Sequence, residues 1–594
     1  VQLDEGYVAE RERDSQKETR AGDDVRFEHG GRDYQFGEWC SFAYEKGVGD
    51  GETETVEVPF ARHVWPKAVY RHVDEDDHGV RFTYRTFTGE LEQAVISAKA
   101  FTSQSSARTA AGELAKLGVQ ITTDRGKEFA YGLGHWLEAC GGKSPKIYLT
   151  NTPGWHKDGN VYVNGPQIFG AEGWFADETA RAIVRRSGRS GAVERWTQKM
   201  DKLATTHAIR CAIGTALAGP LVELMHPHSF IVHFYGDSSC GKSTAAEAAA
   251  SVVGTMDDAL NSWYGTSTSK ENLAEIADGF CLVLDELGQF SYSDKKVAEV
   301  IYNLASDQGK TRSTQSGDLQ EQRSWKISVI STGEISMKDK VGQHRKGGQD
   351  VRMIDIPVGQ GDVTDSAEHS DKIKMAVGAM STVKGHAGVA GDLWVNYLVN
   401  ACDIHDLHMQ KRDEHRRLVD RFGDGTAETG RMLASVALVS VAMQEGHRVD
   451  FDHAPNLVPW TPEESRQAAD WMAERAVKAR TARTPNERAL ELLWEKVETK
   501  PAHFPSEQTI LDNNAHKDVW GVSGTSTSQG TVYLSESNLK ASGLPREAGI
   551  GVRSFLQWAC GEGYARKESS RKRRAGRRCQ WYVLKDDDRP DMDR

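Results

Sequence analysis

Cysteine is scarce in this 594-residue sequence: there are eight, and no two stand in C-x-x-C spacing. That scarcity argues against both a disulfide framework and a cysteine zinc site, and it fits a reducing cytoplasm. Long apolar runs are missing as well. None approaches the ~20 residues of a membrane span, and the opening VQLDEGYVAERERDSQ has no apolar signal-peptide core, so no membrane partner is expected. Nor is there a surplus of positive charge. Lys and Arg total 74 against 86 Asp and Glu, a formal net charge of −12. This excludes a protein that coats nucleic acid with its whole surface, but not one that grips it locally. Internal repeats are absent. The histidines of the first third (His63, His72, His78, His135, His156) are dispersed, which favours surface or core placement over metal binding.

What is present is length, with 27% charged and 38% hydrophobic residues. The chain is too long for one core and should form about three or four domains. Residues 1–30 are charged and aperiodic, as in a mobile arm, and 31–185 read as a β-rich α+β accessory domain. There Val80, Phe82 and Tyr84 alternate with polar residues, SARTAAGELAKLG predicts a helix closed by Gly118, and KIYLTNTPGWHKDGNVYVNG predicts a strand pair around Asp158-Gly159. A helical connector over 186–227 leads to an α/β core over 228–360. A helical, lid-like region follows over 361–483, then a mixed domain over 484–585 and an acidic tail, DDDRPDMDR, over 586–594.

The core carries the chemistry. Residues 236–244, GDSSCGKST, fit the phosphate-loop pattern G-x-x-x-x-G-K-S/T between the apolar run FIVHFY and an alanine-rich helix former. Gly236 and Gly241 let the backbone N–H groups of Asp237, Ser238, Ser239, Cys240, Lys242, Ser243 and Thr244 curl around anionic oxygens at a helix N-terminus. Lys242 can reach the β and γ phosphates, and the Ser243 hydroxyl can ligate Mg²⁺. Bound ATP and Mg²⁺ are the cofactors expected. About 40 residues on, FCLVLDE ends an apolar strand in Asp285, suited to hold Mg²⁺, and Glu286, suited to activate water. WKISVIST ends a third strand in hydroxyls, of which Thr332, with Ser331 close behind, is the candidate γ-phosphate sensor. In GGQDVRMIDIP, Arg352 precedes a fourth strand and can reach a γ-phosphate held by a neighbouring subunit, with Arg345 as its competitor.

The stretches DELGQFSYSDKKVAEVIYNLASDQGKTRST, SWKISVISTGEIS and GGQDVRMIDIP resemble the helicase-like ATPases of phages and integrative elements grouped as domain of unknown function nine-twenty-seven. Those look like relatives of the MCM and superfamily-three helicases. The resemblance is specific over about 228–360, weaker over the β-rich region and over ETGRMLASVALVSVA, and thin at the C-terminus. It implies an α/β P-loop AAA+ core, a ring (a hexamer) that translocates on single-stranded or forked DNA, and primase or other replication proteins as partners. It supports Arg352 over Arg345 as the trans-acting finger. It also puts a channel hairpin in GKTRSTQSGDLQEQRSW, making Lys310 and Arg312 the DNA-contact candidates, with Arg431 a further γ-phosphate sensor of low rank. No acidic constellation of a primase is found in the N-terminal region.

Near the end, YARKESSRKRRAGRRCQWYVL crowds Arg566, Lys567, Arg571, Lys572, Arg573, Arg574, Arg577 and Arg578 around a single acid, Glu568. Flanking strands at Gly563-Tyr564 and Trp581–Leu584, after the helix VRSFLQWACGEG, give the order of a winged helix with a basic wing suited to a phosphate backbone. Two functions follow. One is an ATP-driven ring helicase serving replication of a phage or mobile element. The other is an ATP-regulated origin-recognition or DNA-binding regulatory protein without unwinding activity. Small-molecule phosphotransfer is disfavoured, because no second substrate site is apparent.

Overall fold

The computed structural model describes residues 23–49, 51–156, 159–177, 180–186, 188–226, 228–238, 240–311, 322–341, 351–359, 361–362, 380–381, 383–450, 456–481, 485–506, 509, 519–523, 531–542, 551–561, 563–568, 572–574 and 577–585. The acidic tail lies outside them.

Eight strands open the chain: β1 (Val25–His29), β2 (Arg32–Phe36), β3 (Trp39–Gly49), β4 (Glu52–Arg62), β5 (Val64–His72), β6 (His78–Arg85), β7 (Leu91–Ser97) and β8 (Gln120–Ile121). After them come β9 (Lys146–Thr150), β10 (Gly154–His156), β11 (Val161–Asn164), β12 (Gln167–Phe169) and β13 (Trp174–Ala176). They form an antiparallel sheet β1-β2-β3-β4-β8, a mixed sheet β13-β9-β5-β6-β7 and a small sheet β10-β11-β12. Helices α1 (Gln104–Lys116) and α2 (Gly126–Cys140) cover a core containing Phe36, Phe60, Phe82, Phe129 and Trp136. Val80, Phe82 and Tyr84 are buried, as their alternation predicts, and Gly118 follows α1 in the left-handed conformation.

One expectation is corrected here. Residues 1–22 lie outside the described residues, but the end of the expected arm is a strand: β1 begins at Val25 and pairs along its length with β2. Charged residues alternate with Val25 and Phe27, and the Phe27 ring stacks on Tyr34 at 5.1 Å, so the apolar face is there but only two residues long. The strand pair expected around Asp158-Gly159 forms between β10 and β11, while KIYLT, at the start of that stretch, lies parallel to β5 and to β13.

The second region is a parallel sheet. Its strands are β14 (Phe230–Tyr235), β15 (Leu260–Ser262), β16 (Cys281–Asp285), β17 (Ser328–Gly333) and β18 (Met353–Pro357), in the order β15-β16-β17-β14-β18. Around it lie α3 (Val193–Leu203), α4 (His207–Met225), α5 (Lys242–Val253), α6 (Ser267–Ile276) and α7 (Asp294–Ala305). The helical region contributes α8 (Val389–Asn400), α9 (Ile404–Phe422), α10 (Ala427–Gly446) and α11 (Pro462–Thr481). One hydrophobic cluster runs from Trp155 to Ala476 through the expected connector, core and lid, while a second, from Ile231 to Met353, lies within the core alone. Helix α4 belongs to the first cluster, with α10 and α11 packed against it. Helix α4 is also long and apolar enough to cross a membrane, against the expectation that no such run exists, and 83% of its 18-residue apolar window is buried inside the protein.

The last region has its own core, with Leu490, Trp494, Phe555 and Leu584 buried. Helices α12 (Pro485–Thr499), α13 (Glu536–Ser542) and α14 (Val552–Gly561) pack with β19 (Val522–Ser523), β20 (Thr531–Leu534), β21 (Arg566–Lys567) and β24 (Tyr582–Lys585), in sheet order β19-β20-β24-β21. Between β21 and β24, β22 (Lys572–Arg574) and β23 (Arg577–Cys579) pair as a hairpin.

Candidate functional site

In the parallel sheet β14 lies between β17 and β18, and GDSSCGKST follows it at its carboxyl end, leading into α5. Gly236 has a positive φ of 153°, which a residue with a side chain rarely adopts, and a Cβ there would meet the Val358 carbonyl oxygen at 2.1 Å. Only glycine fits. Gly241 adopts φ 92° and caps the N-terminus of α5, whose first residues are Lys242, Ser243 and Thr244. The Lys242 ammonium donates to the carbonyls of Gly236 (3.0 Å) and Asp237 (2.6 Å), and lies 3.6 Å from Cys240 Sγ. Asp237, Ser238 and Ser243 are exposed, Cys240 is buried, and Ser239 lies outside the described residues.

The expected acids arrive at the same edge. β17 lies between β14 and β16, with Phe234 level with Thr332 and Leu284 level with Ser331. Ser243 Oγ donates to Asp285 Oδ1 at 3.3 Å, and Thr332 Oγ1 donates to the same oxygen. Thr332 Oγ1 in turn accepts the Glu286 backbone N–H at 2.9 Å. Glu286 is held at φ 61°, an uncommon conformation for a residue with a side chain. Lys242, Ser243, Asp285, Glu286 and Thr332 therefore meet at one end of the sheet. Chemically this set offers an ammonium, inward N–H groups at a helix N-terminus, and a hydroxyl beside a carboxylate. These are the donors that hold a polyphosphate and a hydrated Mg²⁺.

Ser331 points elsewhere. Its hydroxyl accepts the Trp263 indole N–H at 2.9 Å and lies 2.9 Å from Nδ1 of buried His233, whose Nε2 lies 2.9 Å from the Ile335 carbonyl. Burial pushes the His233 pKa down, so the ring is neutral, with Nε2 donating to Ile335 and Nδ1 accepting from Ser331. Trp263 and His233 had no recognisable signal in the sequence.

Arg352 lies at the opposite end. The Ile231 N–H bonds its carbonyl, so it stands about six strand residues, roughly 20 Å, from its own Gly236. Its guanidinium donates to the Ala305 carbonyl (2.9 Å) and the Ser306 hydroxyl (3.3 Å) at the end of α7. Arg431 is exposed and paired with Glu428 at 3.7 Å. Beyond Ser306, buried Asp307 at φ 68° accepts from Ser229 N–H and pairs with His228 and Lys326. The bridge Gln308–Ser324 then closes the base of the expected hairpin. Lys310 lies on its stem, ion-paired with Glu299 of α7, which raises the lysine's pKa and lowers the carboxylate's. Arg312 and Arg345 fall outside the described residues, as does Arg571. Lys572, Arg573, Arg574, Arg577 and Arg578 lie on the β22–β23 hairpin.

The fold class so defined is mixed α/β with several sheets, and comparison with solved structures finds it elsewhere. The chain is similar to a structure titled "SCCmec type IV Cch - active helicase", with 17% identity, 93% of this chain and 97% of that chain covered, and a TM-score of 0.58. At that identity the two share a fold. A structure of the NrS-1 C-terminal region in its A-form apo state aligns over 87% of this chain and 96% of that one at 8% identity, but its TM-score of 0.26 supports no common architecture. The family model described as Domain of unknown function (DUF927) matches residues 41–324. That match takes in most of the β-rich region and the loop 236–244, and stops short of Thr332 and Arg352. No curated protein matches the sequence.

Proposed function

We propose that this chain is an ATP-dependent, ring-forming DNA helicase or translocase, serving a phage or mobile element. The observation that carries the reading is the convergence of Ser243, Asp285, Glu286 and Thr332 beside the loop that holds Lys242. The fold shared with a structure titled an active helicase supports it. In this reading phosphate oxygens replace the two loop carbonyls as acceptors for Lys242. Ser243 and Asp285 hold Mg²⁺, which neutralises charge on the transferring phosphate. Glu286 takes the proton of the attacking water, and the Thr332 hydroxyl fixes both acids relative to one another. Arg352 serves a neighbouring subunit's site, since its own is beyond reach. Lys310 and the unseen Arg312 face DNA in the channel, while the basic hairpin (Arg571, Lys572, Arg573, Arg574, Arg577, Arg578) holds the phosphate backbone in a winged-helix arrangement. The MCM-like geometry of the ring belongs to the same proposal.

The test is unwinding of a forked duplex by wild type and Glu286→Gln, with oligomer size measured on the same samples. Unwinding by a large assembly, with hydrolysis lowered about 10²-fold or more in the variant, is expected. Active hydrolysis and DNA binding without unwinding on either fork polarity would replace this reading with the ATP-regulated DNA-binding protein.

A further inference from the structure

The dispersed histidines of the first region are not all dispersed in space. His29 closes β1, and the two-residue turn Gly30-Gly31, with φ 58° and 69°, fixes its position opposite Arg32. His135 and Glu138 stand three residues apart on α2, so they share one face of the helix. The packing of α2 against β1 brings the three together. His29 Nε2 lies 3.0 Å from Glu138 Oε2, and His135 Nδ1 lies 3.8 Å from the same oxygen. One ligating atom from each residue falls within 4.8 Å of the others.

We propose that His29, His135 and Glu138 form a binding site for a divalent transition ion of the zinc class, which fastens the first hairpin to α2. Two imidazoles and one carboxylate are a three-ligand set that zinc accepts, with water completing a tetrahedron. Ligands about 2.1 Å from zinc lie roughly 3.3 Å from one another, so the set must close by about 1.5 Å at its widest. The two rings stack at 4.5 Å and must splay so that their in-plane lone pairs converge. Room exists for this, because both imidazoles are 32% exposed and Glu138 is 66% exposed. The nearby Arg32 guanidinium opposes a cation. An ordinary histidine–carboxylate pair needs only one imidazole, whereas here two crowd a single carboxylate.

The experiment uses the full chain, stripped of metal and held in excess Mg²⁺ so that the Asp285 site does not report. Zn²⁺ uptake is measured by equilibrium dialysis, and the visible absorption of a Co²⁺ replacement gives the geometry. Wild type should bind one equivalent more than His29→Ala and than Glu138→Gln, and its Tm should rise with Zn²⁺ while theirs do not. The Co²⁺ spectrum should show tetrahedral bands lost in both variants. Equal uptake and equal Tm shifts in all three proteins, or no uptake by wild type, would overturn the proposal. Far-UV circular dichroism, expected unchanged for such exposed residues, separates loss of the site from loss of the fold.

Discussion

Ser331 and Thr332 are adjacent hydroxyls on one strand, and strand geometry sends them to opposite faces. Thr332 meets the two acids, while Ser331 meets Trp263 and His233. The sequence alone left both open as sensors, because the partners that separate them come from β14 and from the residue after β15, far away along the chain. Their substitutions should therefore fail in different ways. Thr332→Val keeps the shape and removes the hydroxyl that joins Asp285 to the Glu286 N–H, so ATP turnover should fall about 10²-fold. Ser331→Ala strands a buried indole N–H and a buried imidazole nitrogen, and should cost about 1–3 kcal/mol in denaturant unfolding while turnover changes little. Reversal of the two phenotypes would move the sensor to Ser331.

At the scale of elements, what was legible follows from how local each signal is. β14 with the loop GDSSCGKST after it, the acid-tipped β16 and the hydroxyl-tipped β17 are each a short apolar run with polar residues at its end, and each strand stands where the sequence predicts. The start of β1 and the partners of β9 were not legible, because a two-residue apolar face and a non-local parallel pairing leave no local trace. The same holds for the turn into β16. Asp278 Oδ1 accepts the N–H groups of Gly279 (2.9 Å) and Lys326 (2.6 Å), its carbonyl accepts from Arg186 at 2.6 Å, and the Gly279 carbonyl accepts from Tyr162 at 2.5 Å. These bonds tie the first region to the parallel sheet. Burial, reinforced by Glu223, pushes the Asp278 carboxyl up to about 7, against the pull of those N–H groups and Arg186. The native chain thus holds a proton that the unfolded chain releases near pH 4. Stability is fullest below pH 4 for this group and declines as pH rises toward 7, by roughly 1.4 kcal/mol per unit of separation between the two pKa values. Asp278→Asn keeps the acceptor oxygen and removes the titration, so its urea midpoint should lack that decline between pH 4 and 7. Parallel pH profiles for the two proteins would show that the carboxyl is ionised in the native state.

At the scale of the whole molecule, Arg352 is the residue whose proposed role needs a second chain. The resemblance read from RMIDI gave it a role, but only the sheet register shows that its own phosphate loop lies roughly 20 Å away across the strands. In a single chain its bonds to the Ala305 carbonyl and the Ser306 hydroxyl make it a cap for α7. In a ring the same arginine would stand at a subunit boundary, joined to the hairpin stem through Ser306, Asp307 and the Gln308–Ser324 bridge. The two roles differ under mixing. Lys242→Ala removes phosphate binding from a subunit but leaves its Arg352, and Arg352→Ala does the reverse. Each variant alone should be inactive in DNA-stimulated hydrolysis. Mixed and allowed to exchange subunits, they place an intact loop beside an intact arginine at a fraction of interfaces, and hydrolysis should return in part. If Arg352 only caps α7, the mixture stays as inactive as its components, and Arg352→Ala loses thermal stability instead.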